Sequence, residues 1–185
     1  MYKYLTIFLL AIIGFTSCKK KQADVLADIK EKTAKINKGL TSLSRKQVDD
    51  IMTPGGGTIM GYYDGEEVKK INVEQYTDTC RIFSEFYFDD GMLIYVLEHN
   101  YVYNKPRWYT EELATEKKDS VWYDDKKTVL VNNRYYLKQN KLIKWIKGDD
   151  NDIMINSSEF INMEPKLWIK AVLLIKELKE LKSNQ

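Results

Sequence analysis

The apolar positions of this chain change their spacing three times, and each change predicts a different element. An apolar run with Thr6 as its one hydroxyl residue extends from Leu5 to Phe15, after the basic Lys3. Beyond it Val25, Ile29, Ile36, Leu40 and Leu43 recur at steps of three, four or seven, with Lys and Glu between them. That spacing predicts an amphipathic helix with one apolar stripe. Ser44-Arg45-Lys46-Gln47 reads as a capping box that starts a second short helix, so the helical region is expected over 25–52. Pro54 and Gly55-Gly56-Gly57 end it, and the glycine run reads as a flexible connector between helix and sheet.

From Thr58 onward the period becomes two, and Tyr, Phe, Val, Ile and Trp dominate. Such alternation predicts half-buried strands over 58–147. Asp64-Gly65 separates strands expected at 58–63 and 68–73, and Asp90-Gly91 separates those at 81–88 and 92–103. Asp-Gly between alternating strands signals a type I′ hairpin, which needs positive φ at both central residues. Further reversals are expected at Asp124-Asp125-Lys126-Lys127, Asn132-Asn133 and Gln139-Asn140. Residues 105–119 are polar and read as a connection with a helical turn at 110–114. The last segment, 162–183, places Leu167, Ala171, Leu174, Leu178 and Leu181 on one stripe, widened by Trp168, Val172 and Ile175. Pro165 suits the first turn of that helix, and Lys182 its C-terminal dipole.

One internal similarity stands out. The segment from Phe86 to Val96 can be laid on that from Tyr135 to Trp145, each reading aromatic strand, tight turn, Leu-Ile strand. Asn140 takes the place of Gly91, and Asn tolerates the left-handed conformation better than most residues. Two equivalent hairpins in one meander are expected. The fold class is therefore α+β: an antiparallel β-meander of about six to eight strands with N-terminal and C-terminal helices, in a single domain over 25–185.

Length and charge narrow the function. The chain has 185 residues, enough for one well-buried core. Lys and Arg number 29 against 27 Asp and Glu, interleaved along the chain, so no nucleic-acid partner is implied. The run from Leu5 to Phe15 is too short to span a bilayer, which needs ~20 apolar residues, and has the length of a signal-peptide core. Thr16 and Ser17 then lead directly to Cys18. Ile13-Gly14-Phe15-Thr16-Ser17-Cys18 resembles a bacterial lipobox, with Phe15 where Leu is commonest. With the Lys19-Lys20-Lys21 after it, it resembles the leader of small lipoproteins of the Bacteroidota type. That resemblance implies a signal peptide over 1–17, lipidation of Cys18 and a basic tether over 18–24. It places the protein in the bacterial cell envelope, anchored to the inner or outer membrane and facing periplasm or cell surface. It implies no activity.

The remaining chemistry is sparse. With Cys18 lipidated, Cys80 has no partner and reads as a small buried hydrophobe. His99 is the one histidine and falls on a predicted strand, where no second His supports a metal site. A Cys80–His99 pair is opposed by register, since the Asp90-Gly91 turn sets Cys80 close to residue 101. Gly55-Gly56-Gly57-Thr58 lacks the Lys of a phosphate loop. Asp149-Asp150-Asn151-Asp152 lacks the spacing and terminal Glu of an EF-hand and reads as a solvated loop. No catalytic, cofactor or metal residue is assigned. The aromatics are the better lead, because they exceed what one small core can hold. Tyr87, Tyr95, Tyr101, Tyr103, Trp122 and Tyr136 are candidates for a ligand face, Tyr offering contact area and a hydroxyl at low entropic cost. The expected function is a non-catalytic binding or interaction module held on the membrane by its lipid, with an envelope protein, peptide or glycan as ligand. The alternatives are an envelope hydrolase with an unrecognised carboxylate site, and a purely structural component.

Overall fold

The computed structural model describes residues 22–180. Cys18 and the rest of the leader lie outside the described residues, as do Leu181 and Lys182. Two compact units meet in sequence at Lys38 and Gly39. The first contains α1, residues 22–38, which begins within the expected tether. Its apolar stripe buries Ile29, and its solvated side carries an i,i+4 ion pair, Asp28 to Lys32 at 3.0 Å.

The second unit is an eight-stranded antiparallel meander in which every strand pairs with its sequence neighbours. Its strands are β1 (Ser44–Asp49), β2 (Gly57–Asp64), β3 (Glu67–Tyr76), β4 (Cys80–Asp89), β5 (Met92–Val102), β6 (Val129–Lys138), β7 (Lys141–Lys147) and β8 (Asn151–Asp152). A short helix, α2 (Glu111–Glu116), lies between β5 and β6, and α3 (Ser158–Glu180) closes the described chain. None of the described helices is long and apolar enough to cross a membrane.

The first strand corrects the expectation of a second helix. Residues 44–49 pair with β2 from Ser44↔Tyr63 to Asp49↔Thr58. Arg, Lys and Gln favour helix locally, but pairing with β2 and burial of Val48 outweigh that preference. The charged, exposed Arg45 then suits an edge strand.

Two hairpins share one geometry. Asp90 and Gly91 (φ 48° and 71°) join Asp89 to Met92, and Gln139 and Asn140 (φ 50° and 61°) join Lys138 to Lys141. Positive φ at both central residues is the type I′ signature that the twist of paired strands favours. Each hairpin has a register shift just before its turn, at Tyr87/Phe88 and Tyr136/Leu137. The hairpin joining β2 to β3 has a similar shift at Tyr62/Tyr63. There Asp64 pairs with Glu67, so the turn is centred on Gly65-Glu66, one residue later than expected. The reversal expected at Asn132-Asn133 does not occur: both residues lie inside β6, facing His99 and Glu98 of β5.

Alternation divides the sheet into two faces. On one, Ile59, Ile71, Val73, Phe86, Leu93, Val96, Leu137 and Leu142 form the core with Phe160, Leu167, Ala171, Leu174 and Leu178 of α3. Tyr135 and Trp145 belong to this face as well, their ring centroids 5.2 Å apart. The helix starts earlier than expected because Ser157 Oγ accepts from the Phe160 amide, an N-cap bond. Pro165 is consequently inside α3. Trp168 and Val172 do not widen the buried stripe: they are exposed, with Ile161, Ile169 and Leu173, on the solvent side. At the other end of α3, the Lys46 ammonium donates to the Leu178 carbonyl, a cation at the negative end of the helix dipole.

The glycine connector is a built turn rather than a flexible tether. The Gly55 amide donates to the Tyr76 carbonyl (3.0 Å) and the Tyr76 amide to the Gly56 carbonyl (2.9 Å). Asp50 ties the same loop together. Its carboxylate accepts from the Met52 and Thr53 amides, from Thr53 Oγ1 at 2.7 Å and from Gln75 Nε2 at 2.7 Å. Gln75 Oε1 in turn accepts from Lys170 Nζ of α3 at 3.0 Å. Burial pushes the Lys170 ammonium pKa down, opposed by the charges of Glu98 and Asp50.

For Asp50, burial alone raises the carboxyl pKa, but the bonds from Thr53, Gln75 and Met52 outweigh it and hold it below its usual value. A carboxyl held low adds stability above its unfolded pKa of ~3.9, and the gain is lost as pH falls through the lower folded value. Asp50→Asn is therefore expected to lower the melting temperature at neutral pH and to approach wild type in strong acid. Thermal melts across that range check it; a deficit that persists undiminished in acid contradicts the ionised role.

Candidate functional site

The sheet face opposite α3 carries Tyr76, Phe83, Tyr95 and Tyr101 outside the core, and its register decides which of them meet. Tyr76 at the end of β3 lies opposite Arg81 at the start of β4, and Arg81 lies opposite Tyr101 of β5. The guanidinium therefore stands between two rings, 5.8 Å from the Tyr76 centroid and 5.6 Å from that of Tyr101. Glu74, one pleat along β3, accepts from Arg81 Nε (2.8 Å) and from the Tyr76 hydroxyl (2.7 Å). The Tyr76 hydroxyl bond, then the Arg81 bond and charge, hold the Glu74 carboxyl below its usual range against the opposing effect of burial.

The long connection from β5 to β6 completes a cleft over this row. Tyr103, Arg107, Tyr123, Asp125 and Thr128 line it with Tyr76, Arg81 and Tyr101, around a volume of about 330 Å³. That lies near the lower end of small-molecule sites, ~300–1,000 Å³. The Tyr103 and Tyr123 rings meet edge to face at 5.5 Å, and the Arg107 guanidinium lies 6.0 Å from the Tyr103 centroid. Tyr123 donates to Asp125 Oδ1 at 2.9 Å, and burial, then that bond, raises its phenol pKa.

Local hydrogen bonds hold the connection in shape. The Tyr103 amide donates to the Thr79 carbonyl and the Arg107 amide to the Asp78 carbonyl. Asn104 bridges the two ends of the connection, donating to the Trp122 carbonyl (2.8 Å) and accepting from the Asp124 amide (3.0 Å). Lys105 and Asp119 form an ion pair at 2.8 Å. Thr110 Oγ1 accepts from the Leu113 amide and caps α2. The cleft is thus preformed rather than assembled from free loops.

The candidate ligand-face aromatics fall into two groups. Tyr101 and Tyr103 line the cleft. Tyr87 and Tyr136 are buried, with Tyr95 between them at ring distances of 5.6 and 5.0 Å. Burial, with the Tyr136 phenol beside it, raises the Tyr95 hydroxyl pKa. These three form a cross-strand stack that stabilises the sheet and offers little surface to a ligand. Trp122 is 38% exposed, beside Tyr123 in the connection but not among the lining residues. Cys18 lies outside the described residues.

Sequence reasoning missed Arg81 and Arg107, and left Tyr76 and Tyr123 in the general excess of aromatics rather than on the candidate face. A usable signal existed for Tyr76 and Arg81: they flank the short turn at 77–79, so a tight hairpin there sets them opposite each other. His99 stacks on Phe83 and its Nδ1 lies 2.6 Å from Asn132 Oδ1. Cys80 pairs with Val102, three positions from His99, so the two side chains lie on opposite faces. Cys80 Sγ instead contacts Thr77 Oγ1 at 3.1 Å. In the acidic loop, Asp150 faces Arg134 at 3.5 Å and Asp152 faces Lys144 at 3.0 Å. Among the described residues no three His, Cys, Asp or Glu side chains converge as a metal site. No family model, curated protein or solved structure matches this chain.

Proposed function

We infer that this protein is a lipid-anchored binding module of the bacterial cell envelope, held through Cys18 and recognising its ligand in the tyrosine and arginine cleft. The observation that carries the binding role is Arg107: its guanidinium lies 6.0 Å from the Tyr103 ring centroid at the cleft wall and makes no ion pair or hydrogen bond with a described side chain. Paired with Tyr101 and Tyr103, whose hydroxyls bond no described residue, it leaves donors and ring surface open in one concave place. Such a combination is the usual make-up of a specific small-molecule site. The anchor is supported by the apolar run from Leu5 to Phe15 followed by Thr16-Ser17-Cys18. Acyl chains add ~0.8 kcal/mol per buried CH₂, and stable anchoring takes more than one such signal. Additional chains and Lys19-Lys20-Lys21 supply the others, lysines near an anionic surface adding ~1 kcal/mol each.

Two measurements test the two halves. Cys18→Ala is expected to leave an uncleaved precursor or a mislocalised protein; normal processing and full membrane association in that variant reject the anchor. For the cleft, the anchored protein is purified from its envelope in mild detergent and its bound small molecules are compared by mass spectrometry with those of a Tyr103→Ala/Arg107→Ala variant. A species carried by the wild type alone supports the binding role. Identical spectra from both folded proteins reject it.

A further inference from the structure

We propose that the cleft takes a small monoanion in which a carboxylate is joined to a ring. The proposal rests on the binding-module reading and specifies its ligand class. Three features of the cleft select that chemistry.

The first is the kind of group left open. A guanidinium has five N–H donors and no acceptor. Arg81 spends Nε and one terminal nitrogen on Glu74, at 2.8 and 2.6 Å. Arg107 spends none on a described side chain and lies 6.0 Å from the Tyr103 ring centroid. A planar guanidinium fork matches a carboxylate with two parallel bonds. The ligand must therefore bring acceptors, and the phenols of Tyr101 and Tyr103 add two hydroxyls beside it.

The second is charge. Arg81 is already paired with Glu74 and Asp125 accepts from the Tyr123 hydroxyl, so Arg107 is the cation of the lining that has no ion-pair partner among the described residues. A site with that balance accommodates one further negative charge next to Arg107. A phosphate dianion faces the two carboxylates without a second free cation, so carboxylate is favoured over phosphate.

The third is shape. Half of the lining residues are tyrosines, Tyr76, Tyr101, Tyr103 and Tyr123, which offer ring surface to a ring ligand at little entropic cost. A cavity of ~150 Å³ suffices for benzene, so about 330 Å³ holds one or two rings and not a long polymer segment. A peptide cannot add here as a further strand, because β3 to β6 are each paired on both sides.

The test uses the full chain in detergent with five probes: benzoate, glucuronate, glucose, acetate and inorganic phosphate. Binding is followed by calorimetry and by the tyrosine ring resonances of Tyr101 and Tyr103. At least one of benzoate and glucuronate is expected to bind more tightly than glucose, acetate or phosphate, and which one binds identifies the ring as aromatic or sugar. Arg107→Gln is expected to weaken that probe roughly 10- to 100-fold, the size of a charge-assisted bond. Arg107→Lys, which keeps the charge and loses the fork, should fall between. Arg107 is exposed, so an unchanged melting curve establishes that each variant is folded. Phosphate or acetate binding as tightly as the ring carboxylates overturns the proposed ligand class. So does glucose binding that is indifferent to Arg107→Gln, although the cleft then remains a binding site. If no probe, charged or neutral, perturbs Tyr101 or Tyr103, the ligand class falls; if the envelope-purified wild type and cleft variant also carry the same species, the binding-module reading falls with it.

Discussion

Leu174→Ala is expected to cost ~2–5 kcal/mol of unfolding free energy, through lost burial and the cavity left behind. Leu174 is 4% exposed and lies mid-stripe on α3, in the same core as Phe86, Val96 and Leu137. A whole domain is stable by only ~5–15 kcal/mol, so the change removes a large share. A chemical denaturation curve measures it. Trp168→Ala on the same helix is the control, because Trp168 is 47% exposed on the solvent side. It should move the midpoint far less despite removing a larger side chain. Equal shifts for the two variants, or no shift for Leu174→Ala, would show that α3 does not close the core.

Gly57→Ala is the second large effect, and it comes from backbone rather than core. A Cβ at Gly57 would stand 2.1 Å from the Glu74 carbonyl oxygen and 3.1 Å from its carbonyl carbon. Neither atom is the end of a flexible side chain, so the β2–β3 pairing has to shift. The Gly57 carbonyl also accepts from the Asp50 amide at 3.0 Å, which couples any shift to the 50–56 turn. A loss of roughly 3 kcal/mol is expected, the upper end for overpacking. Gly91 is the contrast: nothing approaches within 4 Å of an added Cβ, and φ is +71°. A β-branched residue there meets only the left-handed penalty, ~1–2 kcal/mol. Thermal melts of Gly57→Ala and Gly91→Val should rank in that order. A Gly57→Ala protein as stable as wild type would mean that β2 and β3 do not approach as closely as described.

The Gly57 case also marks where sequence reading went astray. Three consecutive glycines look like slack, because glycine permits many conformations. Gly55 and Gly57 are required here for close approach to the Tyr76 and Glu74 backbones, and Gly56 for a φ of +73°. Only the folded neighbour reveals which property is used.

What was legible from residues alone was governed by local physics. The change of period from 3.6 to two separated helices from strands, since each backbone repeats its side-chain directions on its own step. Asp90-Gly91 and Gln139-Asn140 announced their turns because few residues tolerate positive φ. The matching of the hairpins built on Phe86 and Tyr135 came from the same local grammar and extends to their bulges. What depended on distant neighbours was not legible. Residues 44–49 became a strand because β2 offered an edge, against a local pattern that favoured helix. Tyr135 and Trp145 face the core while Tyr136 lies on the opposite face, a division set by register, in which a slip of one residue exchanges the faces. The cleft depends on this most. Tyr76, Arg81 and Tyr101 touch only through the pairing of three strands, and Arg107 reaches Tyr103 only because the β5–β6 connection is bonded back onto the turn at 77–79. Period and turn chemistry are properties of neighbours in sequence; a cleft made of side chains from three strands and a long connection is a property of the tertiary fold.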